Sequence, residues 1–197
     1  MSKTEYEVRV PEINVDNIIN KLNNLDAKLV SDSLQKRYVY DFHPASENRW
    51  IRLRTNGKET TLTIKEILSD KVDGTKETEV NINNTDFDTM NEILVKLGYI
   101  PKSYQENRRI KYNLNGVEVD VDFWPLIPPY LEIEGKSKDD VYDTLNSLDI
   151  PIDYATSLDV QRLFKEKYGI NLRDYKELIL EDEKKNNYEQ SGKARTR

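Results

Sequence analysis

The chain contains no cysteine and a single histidine, His43, among its 197 residues. Disulfides, thiolate metal sites and cysteine nucleophiles are therefore excluded, and so is any zinc centre built on several imidazoles. His43 stands before Pro44 in an Asp41-Phe42-His43-Pro44 stretch that reads as a loop. No window approaches the roughly 18 consecutive apolar residues of a membrane span, and the N-terminus has no apolar signal-peptide core, so the expected location is the cytoplasm with no membrane partner. No G-x-x-x-x-G-K-[ST] loop is present, which removes the P-loop route to nucleotides. Basic surplus is missing as well: 30 Lys and Arg against 36 Asp and Glu leave a net charge of -6, a poor match to a protein that coats nucleic acid. Any anion must be met by a local cluster of cations.

What is present is alternation. Glu5-x-Glu7-x-Arg9 near the start and Glu132-x-Glu134 later place charged side chains on every second residue, and a strand puts such residues on one face. Arg52-x-Arg54, Thr63-x-Lys65, Arg109-x-Lys111 and Glu118-x-Asp120-x-Asp122 repeat the pattern with apolar residues between. Eight strands are expected, over 4–10, 34–42, 49–54, 60–66, 76–82, 106–114, 117–123 and 130–135. Asn56-Gly57, Asp73-Gly74 and Asn115-Gly116 supply turn chemistry for antiparallel hairpins.

Helical spacing appears at Val15, Ile18, Ile19, Leu22 and Leu25 behind Asn14, and at Phe87, Met90, Ile93, Leu94 and Leu97 between Thr85 and Gly98. Two more helices are expected behind Ser137 and from Leu158 to Tyr168, with Leu172–Leu180 continuing as a short helix. Residues 181–197 lack apolar periodicity and read as a disordered tail, leaving one domain over 1–180. The expected fold class is α+β: an eight-stranded antiparallel barrel, closed into a tunnel, with helices packed outside.

If helices cover the apolar face, the charged face lines the lumen, where unpaired charge is expensive. Carboxylates are hard ligands of the kind Mg2+ or Mn2+ takes, and Arg and Lys match phosphate oxygens. Together they suit a metal-chelated polyphosphate, although a self-compensated network of structural ion pairs has the same pattern.

The residues resemble the CYTH superfamily, the triphosphate tunnel metalloenzymes, which includes class IV adenylate cyclases, thiamine triphosphatases and inorganic triphosphatases. Its E-x-E-x-K is matched by Glu5-Tyr6-Glu7-Val8-Arg9, its L-R-x-R and L-T-x-K by residues 51–54 and 62–65, its K-x-R-x-x-Y by 107–112, and its late D and E-I-E strand by Asp122 and 131–134. The resemblance implies that Glu5, Glu7, Asp122, Glu132 and Glu134 ligate Mg2+ or Mn2+. It implies that Arg52, Arg54 and Arg109, with Lys65, bind the triphosphate; Lys111 and Glu79 join them by strand parity alone.

Two departures bear on chemistry. Arg9 replaces the lysine that helps activate water in hydrolytic members, and a guanidinium stays protonated, which makes Arg9 the residue on which catalysis turns while it also binds phosphate. Asn107 replaces a further lysine. The implied function is a divalent-metal-dependent triphosphatase acting on inorganic, thiamine or nucleoside triphosphate, with a class IV adenylate cyclase or a non-catalytic polyphosphate binder as alternatives. The four residues before Glu5 do not hold the His-Phe pair that cyclase members carry, and the expected assembly is a monomer or homodimer.

Overall fold

A computed structural model of the protein describes residues 2–46, 48–69, 71–72, 75–82, 86–181 and 192–196. Alternation becomes strand wherever it was expected. The elements are β1 (Ser2–Val10), α1 (Val15–Asn24), β2 (Lys28–Asp41), β3 (Arg49–Thr55), β4 (Thr60–Ile67), β5 (Thr75–Ile82), α2 (Phe87–Lys96), β6 (Pro101–Leu114), β7 (Val117–Phe123), β8 (Tyr130–Gly135), α3 (Lys138–Ser147), α4 (Val160–Tyr168), β9 (Tyr175–Leu180) and β10 (Gly192–Thr196). Single 3-10 turns lie at Ile152–Tyr154 and Leu172–Asp174.

The fold is α+β, with four helices and a strongly curled, mostly antiparallel sheet. Its central strands run in the order β6-β2-β3-β4-β5-β1-β8-β7, and β6 also pairs with β7 from Arg108↔Phe123 to Leu114↔Val117. Turn residues behave as their chemistry dictates. Asn115 and Gly116 take positive φ of 53° and 93°, as a two-residue hairpin between β6 and β7 requires, and Gly57 does the same at 84° between β3 and β4. Asp73-Gly74 falls outside the described residues.

Side chains set the helix ends. The Asn17 N–H donates to Asn14 Oδ1 at 2.9 Å to start α1, and the Asp140 N–H donates to Ser137 Oγ at 3.2 Å to start α3. Asp159 Oδ1 accepts from Gln161 N and Arg162 N at α4, which ends at Gly169 with φ 69°. For α2 the N-cap is Asp86, which makes no side-chain capping bond; Thr85 lies outside the described residues.

The helices bury the apolar faces of the strands from outside. Leu22 of α1 and Val141 and Leu145 of α3 are buried with Val119, Val121, Leu131 and Ile133, while α2 sets Phe87 and Leu94 against Tyr40, Ile51 and Leu53. Each such side chain contributes about 1.5–3 kcal/mol by leaving water. A third cluster lies under α4: Leu163 and Phe164 pack with Trp124, Ile127, Tyr130, Leu172 and Leu178. The helices thus cover much of the apolar outer face, although Val80 of β5 and Leu29 of β2 stay exposed, and the charged faces turn to the inside of the curl.

One expectation is corrected. Leu172–Leu180 is not a helix: after one 3-10 turn it extends as β9, whose Glu177 and Leu178 pair parallel with Tyr104 and Gln105 of β6. Leu178 and Leu180 are buried while Glu177 and Ile179 are only half-buried, a period of two. Within the tail expected to be disordered, Gly192–Thr196 forms β10, antiparallel to β9; residues 182–191 lie outside the described residues. Among the described residues no helix is long and apolar enough to cross a membrane.

Candidate functional site

Period two aims one residue in two from eight strands into the concave face, where they line a cavity of about 440 Å3. β2, β3 and β4 contribute a cationic wall: Arg37, Arg52, Arg54 and Lys65. β1 and β8 contribute Glu7, Glu132 and Glu134, joined by Glu118 of β7. Arg9, Arg109 and Lys111 also line the cavity.

The register sets like charges side by side. Arg37 lies opposite Arg54, Glu7 opposite Glu134, Asp120 opposite Glu132, and Glu118 opposite Glu134. Directly opposed like charges oppose pairing of strands, so the sheet forms despite these contacts.

The two walls resolve this differently. On the acidic side two arginines gather the carboxylates. Arg109 grips Asp122 through Nε (3.0 Å) and Nη2 (2.6 Å), reaches Asp120 Oδ2 with Nη1 at 2.6 Å, and donates to Glu132 Oε1 at 2.9 Å. Asn107 adds a bond to Asp122 Oδ1 at 2.5 Å. Arg9 donates from Nη2 to Glu7 Oε2 at 2.9 Å and lies 2.7 Å from Glu132 Oε2, while its Nη1 donates to the Leu158 carbonyl at 2.8 Å. The Arg9 backbone also bridges to Thr156, so the segment after α3 fixes this residue from both sides.

Burial works against the charge on Arg9 and Arg109, but Glu132 and Glu7 around the first, and Asp120, Asp122 and Glu132 around the second, hold both guanidiniums well above their usual range. Glu132, although buried, is held below the usual carboxylate range by Arg9 and Arg109. Asp120 goes the other way: burial pushes it up to about 7 despite Arg109 and Lys111, and its Oδ1 is buried with no hydrogen bond among the described residues.

The cationic wall has few carboxylates. Arg52 lies 3.7 Å from Glu79, which accepts a bond of 2.6 Å from Thr63 Oγ1. Arg37 lies flat over the Trp124 ring, 4.6 Å from its centroid. Burial and then Arg54 and Arg52 push Arg37 down to about 9; Arg52, followed by burial, pushes Arg54 down to about 9. These cations repel one another inside a shared cavity.

The structure therefore brings together Glu7, Arg9, Arg52, Arg54, Lys65, Arg109, Lys111, Glu132 and Glu134 as expected sites around one space. Asp122 lies behind the wall, fully buried and bound to Arg109. Lys111 pairs with Glu118, and Glu79 lines the cavity. Glu5 sits on β1, but its side chain is outside the described residues. Sequence reasoning missed Arg37, Asp120, Trp124 and Tyr130 as parts of the site. Parity offered a signal for two of them: Asp120 shares a face with Asp122, and Tyr130 with Glu132.

The donors suit a divalent ion in kind, since all are hard carboxylate oxygens and Asp120 Oδ1 is unsatisfied. In arrangement they are gathered on Arg9 and Arg109, and no three carboxylates converge on one point among the described residues.

Comparison with known proteins follows this geometry. The CYTH domain family model matches residues 1–150. No curated protein matches the chain. Among solved structures, a conserved hypothetical protein of Pyrococcus furiosus is 23% identical, with a TM-score of 0.68, covering 80% of this chain and 98% of that one. A candidate adenylate cyclase of Vibrio parahaemolyticus is 12% identical with a TM-score of 0.70, covering 84% and 99%. A candidate adenylyl cyclase of Hippeastrum, with a dominant triphosphatase activity, is 14% identical with a TM-score of 0.56, covering 86% and 96%. These similarities show the fold.

Proposed function

The chain belongs to the CYTH domain family, and on that footing we propose that it binds a linear triphosphate along the cationic wall, inside the curl of the sheet, and hydrolyses it. The observation that carries this reading is the crowding of Arg37, Arg52 and Arg54 on one wall: burial with repulsion from Arg54 and Arg52 pushes Arg37 down to about 9, and repulsion from Arg52 with burial does the same to Arg54. A monoanion would relieve one cation. Three guanidiniums and Lys65 around about 440 Å3 call for several negative charges in one ligand.

In this reading Arg52, Arg54 and Lys65 hold phosphoryl oxygens and oppose the charge that develops on them as the bond breaks. Arg9 and Arg109 keep Glu132 ionised and fix Glu7, Asp120 and Asp122 in direction. Glu7, Glu132 and Glu134, with Glu5 and Asp122, would hold Mg2+ or Mn2+. When bound, that ion supplies Lewis acidity toward the phosphoryl oxygens.

One observation favours a second reading, a polyphosphate binder without turnover. Arg9 is permanently protonated and held by Glu7, Glu132 and the Leu158 carbonyl, so it accepts no proton from water.

The test is release of orthophosphate from tripolyphosphate, thiamine triphosphate and nucleoside triphosphates with Mg2+ and with Mn2+, with cyclic AMP measured in parallel. Orthophosphate release supports hydrolysis; cyclic AMP and pyrophosphate from ATP replace it with a cyclase. Tight binding by calorimetry with neither product establishes the binder, and no binding of any triphosphate sinks all three.

A further inference from the structure

Three polar atoms on the cavity wall take no part in the assignments above. Trp124 Nε1, Tyr130 Oη and Arg37 Nε are buried and make no hydrogen bond among the described residues, and all three residues line the cavity. Trp124 is 3% exposed, Tyr130 1% and Arg37 8%. Buried donors are normally satisfied, and each one left unpaired opposes folding.

Their positions are fixed. Trp124 and Tyr130 stand at the two ends of the Pro125-Leu126-Ile127-Pro128-Pro129 connection, whose three prolines restrict its backbone. Both rings belong to the apolar cluster under α4, and Trp124 meets Phe164 edge-on at 5.6 Å and 71°. The Arg37 guanidinium lies over the indole, 4.6 Å from its centroid. Packing thus accounts for the rings and leaves only their polar tips without a role.

The set donates. An indole N–H and a guanidinium have no acceptor capacity. A phenol ordinarily ionises only at about 10, so Tyr130 carries a proton to donate at neutral pH. A donor set of this kind suits an oxyanion and not a cation. Val160, Gln161, Leu172 and Arg173 also line the cavity, and Val160 and Leu172 pack in the cluster that holds Trp124. The wall at this end therefore comes from residues beyond the 150 that the family model matches.

We infer that Arg37, Trp124 and Tyr130 form an oxyanion pocket that seats the free terminal phosphoryl group of the bound polyphosphate, against the wall made by α4 and the turn after it. This rests on the triphosphate reading and adds a direction to it: the free end of the chain points toward α4, and any organic substituent lies away from it.

The experiment uses the full chain labelled with 15N and titrated with tripolyphosphate, with and without Mg2+. Two indole signals are expected, and Trp124→Phe identifies its own by loss. On saturation the Trp124 indole proton moves downfield, as an N–H that gains an acceptor does. Tyr130→Phe, which keeps the ring and removes only the donor, and Trp124→Phe, which replaces the indole by a smaller ring without an N–H, each weaken binding about five- to tenfold by calorimetry. If Trp124→Phe does not fold, the wild-type indole signal and Tyr130→Phe decide the matter. An unmoved indole together with unchanged affinity in Tyr130→Phe overturns the pocket; if Arg54→Met still weakens binding in that case, the triphosphate reading stands. Absence of tripolyphosphate binding by the wild type overturns both.

Discussion

The two walls of the cavity have opposite electrostatic states. On the β1–β8–β7 side, Arg9 and Arg109 are each wrapped by carboxylates and held well above their usual range. On the β2–β3–β4 side, Arg37 and Arg54 face other arginines and fall to about 9. One wall is satisfied by the protein itself. On the other, Arg52 has Glu79 at 3.7 Å, while Arg37 and Arg54 stay repelled by neighbouring arginines until something anionic arrives. A chain that needed charge for stability alone would have interleaved the two signs, as the outer face does where Arg108 meets Asp32 at 2.5 Å. Segregation of the signs is thus the part of the structure that stability does not explain.

The largest expected effect breaks this comparison with one substitution on each wall. Arg109→Met leaves Asp120, Asp122 and Glu132 buried without their shared partner and costs about 3–5 kcal/mol in denaturant unfolding. Arg54→Met removes a repelled cation and leaves the stability of the ligand-free protein unchanged or raised. Tripolyphosphate at about 100 times its Kd stabilises the wild type by about 2.7 kcal/mol, and most of that gain disappears in Arg54→Met. Equal losses from both substitutions would show that the walls do not differ.

A smaller effect sharpens the acidic side. Asp120 in the folded protein titrates at about 7, above its ordinary value. Between its unfolded pKa and 7 the folded state holds the proton that the unfolded state has lost, so stability falls as pH rises through that window. Asp120→Asn removes this fall. The variant gains on wild type by an amount that grows from pH 4 to pH 8, on the order of 1–3 kcal/mol at the upper end. A gain independent of pH would mean that Asp120 is ionised throughout and fully compensated by Arg109.

The division between what the sequence showed and what it hid follows from what is local. Strand parity is local, so Arg52 and Arg54, Glu132 and Glu134 could be placed on the correct face from spacing alone. Pairing is not. That Arg109 serves three carboxylates depends on the register of β6 with β7 and of β7 with β8, and no short window holds that information. Arg37 escaped because it is the one cation on a face shared with Gln35 and Val39, with no charged repeat to mark it. β9 was taken for helix because its strand character comes from docking on β6 and β10, a tertiary effect that overrides local preference. The hold on Arg9 was invisible for a simpler reason: its partner at Leu158 is a backbone carbonyl, which any residue would provide.

That hold supplies the smallest expected effect and the sharpest question. Arg9 uses a forked group to reach Glu7, Glu132 and the Leu158 carbonyl at once. Lysine offers one ammonium that does not span all three in the same way, so Arg9→Lys loses about one hydrogen bond, roughly 1 kcal/mol in an unfolding measurement. The catalytic outcome has the opposite sign. A lysine crowded into a buried site loses its proton far more readily than a guanidinium, which permits it to assist water where Arg9 does not. Faster orthophosphate release from tripolyphosphate by Arg9→Lys, at some loss of stability, means that the wild-type acidic wall is arranged for holding a polyphosphate more than for cleaving it. If the wild type turns over and Arg9→Lys is slower, the guanidinium itself stabilises the reacting phosphoryl group, and the acidic wall takes part in the chemistry through Arg9.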